Sequence, residues 1–237
     1  MEKQKQEIRQ LCNSFRLSAI GNNLEEIIAE AEKDSLGFVQ YTWRLLKNEA
    51  DHRQKKDEIR RTKAAGLPRN NNLDLYETGK NGLKMERLAQ LRELNWIDQL
   101  FNIVLMGPSG TGKTALAAGL CMDAVKAGYK VYFRTMDEIL NTLKTKDFVK
   151  SKMVEYKRLL KANLIVLDDI MLFPLEKNLA VAFFNFINQI YEHTSIVITY
   201  AYGYYPIGCY QDAHYFCHRL MFSIFRYDKK QFIRSHV

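Results

Sequence analysis

Cysteine is scarce in this chain of 237 residues: only Cys12, Cys121, Cys209 and Cys217 occur, and they are scattered. No dense pairing framework exists, so the chain is not a disulfide-stapled scaffold, and the pattern suits a reducing cytosol. A long apolar run is also missing. The nearest approach, "LAVAFFNFINQIY", is interrupted by Asn185, Asn188 and Gln189, whereas a membrane span needs about 18 uninterrupted apolar residues. The first residues, "MEKQKQEIRQ", lack the apolar centre of a signal peptide. A cytoplasmic protein without a membrane partner is therefore expected. Acidic charge falls short of basic: 27 residues against 35, for a net charge of +8. That excess favours a polyanionic partner such as nucleic acid, or an anionic membrane surface. What is present in ordinary amount is apolar character, 47% of residues, enough for a real core in one large domain or two modest ones.

Along the chain the pattern changes once. Residues 1–66 read as a small all-α domain. "EIRQLCNSFRL" places Ile8, Leu11, Cys12 and Phe15 on one stripe. "NNLEEIIAEA" begins with asparagine caps and acids in its first turn. A long helix follows from "SLGFVQYTW" to Gly66, with Pro68 beyond it; its first half is apolar at Phe38, Trp43, Leu45 and Leu46. Trp43 and Trp96 are read as core residues. "LPRNNNLDLYETGKNG" is rich in Asn, Gly and Pro and reads as a linker over 67–82. "LKMERLAQLRELNWI" then resumes a helix. From Asn102 apolar runs alternate with amphipathic stretches: "NIVLMG", "KVYFR", "LIVLDDI" and "SIVITY" separated by helical segments. That alternation predicts an α/β fold over 83–237, a parallel sheet with helices on both faces.

The turn after the first strand carries the chemistry. "GPSGTGKT" comprises Gly107, Pro108, Ser109, Gly110, Thr111, Gly112, Lys113 and Thr114, followed by Ala115. It fits the phosphate-binding pattern G-x-x-x-x-G-K-[ST] between a strand and a helix. The glycines let backbone N–H groups wrap phosphate oxygens, and the helix start adds its positive end. Lys113 is placed for the β- and γ-phosphates, and the Thr114 hydroxyl for Mg²⁺. A second element must help to hold the metal. "LIVLDDI" supplies it with a buried strand that ends in two acids, Asp168 for Mg²⁺ and Asp169 to polarise the attacking water. A GTPase needs an N-K-x-D guanine signature and a small nucleotide kinase an arginine-rich lid; neither occurs. An ATPase is expected, with ATP and Mg²⁺ as cofactors.

Two basic runs suit a phosphate backbone. "HRQKKDEIRRTK" carries Lys55, Lys56, Arg60, Arg61 and Lys63, and "KTKDFVKSKMVEYKRLLK" carries Lys150, Lys152, Lys157 and Arg158. Each run also reads as a solvated helix face. No base-reading element is identifiable, so backbone-dominated, salt-sensitive binding is expected.

Taken together, "LNWIDQLFNIVLMGPSGTGKTALAAGLCMDAVKAGYKVYFRTMDEILNTL" and "LIVLDDI" resemble the IstB-like family over roughly residues 1–199. These are the ATP-binding helpers of insertion-sequence transposons, related to the DnaC helicase loaders within the AAA+ class. The resemblance implies an ATPase that forms a homo-oligomer on duplex DNA and regulates a partner transposase. It also implies a nucleotide shared between subunits, completed by a neighbour's arginine. "HRLMFSIF" resembles the family's Asp-Arg-Leu box, which makes Arg219 that arginine, although His218 replaces the Asp.

The likeness breaks after Thr199. The family continues with Ser-Asn, the Asn sensing the γ-phosphate; here Tyr200 and Ala201 stand in those places. Residues 199–217 are atypical, and six of the thirteen tyrosines lie between Tyr200 and Tyr215. A local reading-frame disturbance is one account of that stretch. It also holds Cys209, His214, Cys217 and His218, whose spacing matches no standard zinc finger. Two alternatives to the transposition helper therefore stay open: a DnaC-like replicative helicase loader, and an ATP-gated DNA-binding adaptor that has lost hydrolysis.

Overall fold

A computed structural model describes residues 2–78, 83–170 and 176–201 and the backbone of 232–236. The chain forms two compact units, residues 1–60 and 61–237.

The first unit is helical, with α1 (Glu2–Ser14), α2 (Ser18–Lys33) and the greater part of α3 (Phe38–Ala65). Its core is small: Cys12, Ala19, Ile20, Leu24 and Ile27 are buried. Gly21 lets α1 and α2 close together, since a β-carbon there would stand 3.2 Å from the Cys12 side chain. The expected α1 stripe is corrected. Only Cys12 is buried, while Ile8, Leu11 and Phe15 are exposed, because a core this size covers one position per turn. Trp43 is also exposed, at 65%, contrary to its reading as a core residue.

The start of α2 is corrected too. The helix begins at Ser18, and Asn22 and Asn23 lie inside it. Leu17 sits at the cap position and offers no side-chain acceptor. Glu49, 4% exposed on α3, does that job from a distance. Its Oε2 accepts from the Ala19 and Ile20 amides at 2.8 and 3.3 Å, and its Oε1 from Arg53 Nε at 2.8 Å. Arg53 also donates to the Arg16 carbonyl at 2.6 Å. The carboxylate thus satisfies amides that every helix start leaves without a partner.

In the second unit β1 (Asn102–Gly107), β2 (Val131–Thr135), β3 (Leu164–Asp168), β4 (Ser195–Ala201) and β5 (Phe232–His236) form one parallel sheet. The strand order is β2-β3-β4-β1-β5. Alternate residues serve alternate faces. Ile103, Leu105, Phe133, Leu164, Val166 and Val197 pack with α6 (Lys113–Lys126) and with Leu88, Leu91 and Trp96 from α4 (Met85–Arg92) and α5 (Asn95–Asp98). Val104, Tyr132, Ile165, Leu167, Ile196 and Ile198 pack on the other face with α7 (Met136–Thr145), α8 (Lys150–Leu159) and α9 (Lys177–Ile190). The helices therefore lie on both faces, as the alternation predicts, and Trp96 is buried at 4%. The alternation predicts four strands, and β5 adds a fifth at the edge beside β1. The single helix expected after residue 83 is two, because Leu94 takes a left-handed φ of 61° between α4 and α5. Among the described residues no helix is long and apolar enough to cross a membrane.

Residues 67–78, the first part of the stretch read as a linker, belong to this second unit. Leu73, in a 3₁₀ turn over Leu73–Leu75, is buried against α6. A β-carbon on Gly119 of α6 would come within 2.3 Å of Leu73 Cγ. Arg92 ties the same strap down, donating to Asp74 at 2.7 Å and to Asp123 of α6 at 2.8 Å.

Candidate nucleotide-binding site

The carboxyl ends of β1, β3 and β4 meet at a cleft of about 720 Å³. Such a position, at the strand ends of an open parallel sheet, is where ligands bind. The loop after β1 supplies Ser109, Gly110, Gly112, Lys113, Thr114 and Ala115 to its wall; Asp168 and Asp169 follow β3, and Thr199 and Ala201 end β4. Pro68, Arg69 and Asn70 of the strap form a further wall.

Gly112 caps α6 in a left-handed conformation, φ 84°, and Gly110 has φ 82°. A side chain at either would be strained through the backbone alone. The turn is what aims the first amides of α6 into the cleft. Lys113 is 7% exposed. Its ammonium donates to the Gly107 and Pro108 carbonyls at 2.9 and 2.6 Å and to Thr111 Oγ1 at 3.4 Å. Burial holds its pKa below the ordinary lysine value, opposed by the nearby Asp168 and Asp169 charges. An anion placed in the loop would strengthen the charged form.

Strand order explains how the acids are held. Because β4 lies between β1 and β3, its last buried residue, Thr199, stands beside both Asp168 and Asp169. Thr199 Oγ1 donates to Asp168 Oδ1 at 2.6 Å and accepts from the Asp169 amide at 2.8 Å. Its carbonyl accepts from the Ile170 amide at 3.2 Å. Thr114 Oγ1 donates to the same Asp168 Oδ1 at 3.0 Å. One carboxylate oxygen therefore gathers two threonine hydroxyls. Asp168 is 7% exposed, whereas Asp169 is exposed and has a left-handed φ of 52°. A non-glycine residue rarely takes that conformation, and the two threonine bonds fix it here.

The residues fit a hard divalent cation. A threonine hydroxyl and a carboxylate are 3.0 Å apart beside a phosphate-type loop, and Mg²⁺ takes one or two protein oxygens with substrate phosphates and water as the rest. Among the described residues no group of three or more His, Cys, Asp or Glu stands ready to hold a metal unaided.

Sequence reading found Gly107 to Ala115, Asp168 and Asp169, and the structure brings these together. It missed Thr199 and the strap residues, whereas Ala201, read as standing in the γ-phosphate-sensing place, does line the cleft. Thr199 has no local motif, only its place at the end of an apolar strand. Arg219, and the cluster of Cys209, His214, Cys217 and His218, lie outside the described residues.

The basic candidates are placed as follows. Lys55, Lys56 and Arg60 are exposed on α3, Arg60 paired with Asp57 at 3.0 Å. Lys63 is exposed, and Arg61 donates to the Val125 carbonyl at 3.3 Å. Lys150, Lys157 and Arg158 are exposed on α8. Lys152 is engaged by Glu155 at 3.0 Å, and Glu155 also accepts from Arg134 at 2.8 Å.

A family model described as IstB-like ATP binding protein matches residues 10–210. An ATP-binding protein of an IS21-like insertion sequence from Bacteroides fragilis is 40% identical over 200 residues, covering 84% of this chain and 76% of that one. A second, from B. fragilis strain YCH46, is 36% identical over 189 residues, 79% and 95% of the two chains. Among solved structures, the DnaC helicase loader superposes with a TM-score of 0.52 at 21% identity, covering 70% of this chain and 97% of that one. DnaA from Aquifex aeolicus bound to AMPPCP gives 0.52 at 20% identity over 71% of this chain, and the match spans 51% of the DnaA chain. At such identities the structural likeness concerns the fold, which is that of the AAA+ class.

Proposed function

The chain belongs to the IstB-like ATP-binding protein family, and from that premise we propose that it is an ATP-hydrolysing helper of transposition. In this reading it assembles on duplex DNA under ATP control and regulates a partner transposase. The observation that carries the enzymatic part is the bonded set Thr114–Asp168–Thr199 beneath the phosphate loop. It supports an assignment in which loop amides and Lys113 hold the triphosphate, and Thr114 with Asp168 holds Mg²⁺. Bound there, the metal would neutralise charge on the β- and γ-phosphates. Lys113 stands ready to leave its loop carbonyls for a phosphate oxygen. Asp169, exposed to the cleft and fixed through its amide, takes a proton from the water that attacks the γ-phosphorus. The bond from γ-phosphorus to the bridging oxygen breaks, leaving ADP and inorganic phosphate. Arg219 of a neighbouring copy stabilises the charge on the transferred group. The exposed lysines and arginines of α3 and α8 contact DNA phosphates.

The test is ATP hydrolysis with and without duplex DNA, beside Lys113→Ala and Arg219→Ala. DNA-stimulated turnover lost in both variants is the expected result. One observation favours a second reading, the non-hydrolysing adaptor: β4 ends Thr199–Tyr200–Ala201, and Ala201, with no polar side chain, lines the cleft. ATP binding without turnover under any condition would establish that reading instead.

A further inference from the structure

The turn between α7 and α8 holds the most exposed aromatic of the ATPase unit's described residues, Phe148, at 89%. It is not a loose loop. The Phe148 and Val149 amides donate to the Thr145 carbonyl at 3.1 and 2.9 Å, and Lys152 and Met153 close onto Val149 at 2.9 and 3.1 Å. The ring is therefore presented from a hydrogen-bonded turn, immediately before a helix.

The charge around it is one-sided. The segment from Lys144 to Lys161 has seven basic residues and two acids, and both acids are already used. Asp147 pairs with Lys146 at 3.0 Å, and Glu155 with Lys152 and Arg134. Lys144, Lys150, Lys157, Arg158 and Lys161 are exposed and have no acidic partner among the described residues. Lys150, Val154 and Lys157 follow one another at helical spacing along one stripe of α8, with Val154 41% exposed. The apolar part of this surface is Phe148, Val149 and Val154, too small for a protein-docking patch of several hundred Å². Its surroundings suit a polyanion.

We propose that Phe148 is an apolar wedge that enters between base pairs of duplex DNA while the α8 cations hold the flanking phosphates. The proposal rests on the reading of α8 as a DNA-contacting helix and adds to it a contact with the bases. A side chain inserted at a base step unstacks it and bends the duplex, and exposed aromatics stack on any base. The backbone contacts set affinity; the wedge sets a preference for steps that open easily.

The test uses the full chain with ATP and Mg²⁺ and two duplexes of equal length, one fully paired and one with a single central mismatch. Both carry 2-aminopurine beside the centre, whose fluorescence rises on unstacking. Wild type is expected to bind the mismatched duplex about 10-fold more tightly and to raise its fluorescence, since aromatic stacking is worth roughly 5- to 150-fold per base. Phe148→Ala should lose both effects while keeping its salt dependence, and Phe148→Trp should restore them. The paired variant Lys150→Glu/Lys157→Glu should instead lower affinity for both duplexes and flatten the salt slope. Phe148→Ala binding both duplexes as wild type does would overturn the wedge and leave the α8 reading standing. Absence of any duplex binding by wild type, or binding unaffected by the double charge reversal, would overturn the α8 reading and the wedge with it. Phe148 is exposed, so an unchanged melting temperature for Phe148→Ala is the folding control.

Discussion

Replacing Thr199 by valine removes one hydroxyl and leaves the shape nearly intact. That hydroxyl holds Asp168 at 2.6 Å and the Asp169 amide at 2.8 Å, and Thr199 is 2% exposed. Loss of a bond to a buried carboxylate costs about 1.5–3 kcal/mol. The amide of exposed Asp169 regains water, so its share is smaller, about 0.5–1 kcal/mol. The expected loss is thus about 3 kcal/mol, or roughly 6–12 °C in melting temperature for a chain of this size. Thr199→Ser keeps the hydroxyl and loses one methyl, which costs about 1 kcal/mol. The assay is urea unfolding followed by the fluorescence of buried Trp96 in a Trp43→Phe background, with nucleotide affinity measured alongside. The valine variant should also bind ATP with Mg²⁺ more weakly, since Asp168 loses the donor that orients it. Thr199→Val within about 0.5 kcal/mol of wild type, the ordinary range for a harmless change, or serine as damaging as valine, would refute the argument.

Glu49 gives the helical unit a defined response to acid. Burial pushes its carboxyl up, but the Arg53 bond and the Ala19 and Ile20 amides outweigh burial and hold it below the usual glutamate value. The stability it adds is therefore complete above about pH 4.3, the unfolded value, and is lost as pH falls through the lower folded value. Glu49→Gln should cost about 1–2 kcal/mol at neutral pH and flatten the acid limb, as read by helical circular dichroism from pH 7 to 3. Gly119→Ala should destabilise the second unit by about 1–3 kcal/mol through its collision with Leu73, although alanine is the better helix former. Adding Leu73→Ala should recover part of that loss in a double-mutant cycle, whereas additive costs would show that the two residues do not compete for space.

What was legible in the sequence is what depends on near neighbours. The phosphate loop, the acid pair and the alternation of strands and helices each occupy a few consecutive residues. Thr199 was not legible as a site residue, because its role depends on β4 lying between β1 and β3. Nothing in "SIVIT" encodes that order. Glu49 escaped for the same reason: it caps a helix that starts thirty residues earlier. Trp43 was misread because hydropathy reports what a side chain prefers. A three-helix unit with five apolar core residues has no interior left to bury it. The strap over 67–78 looked like a linker by composition, yet its one buried leucine and the missing side chain at Gly119 make it part of the fold.

The register of β1 bears on how the protein is made. Ile103 pairs with Val197 on one side and Ile233 on the other, partners roughly 90 and 130 residues downstream, and such distant pairings are slow to form. During synthesis the strand that leads into the phosphate loop emerges with neither neighbour available. Synthesis must pass His236 before both edges of "NIVLM" are covered, while α1, α2 and Glu49 are already out of the exit tunnel. An unpaired apolar strand is a template for self-association. Chains that end before Ser195, which lack both of the strand's partners, should therefore be insoluble when expressed.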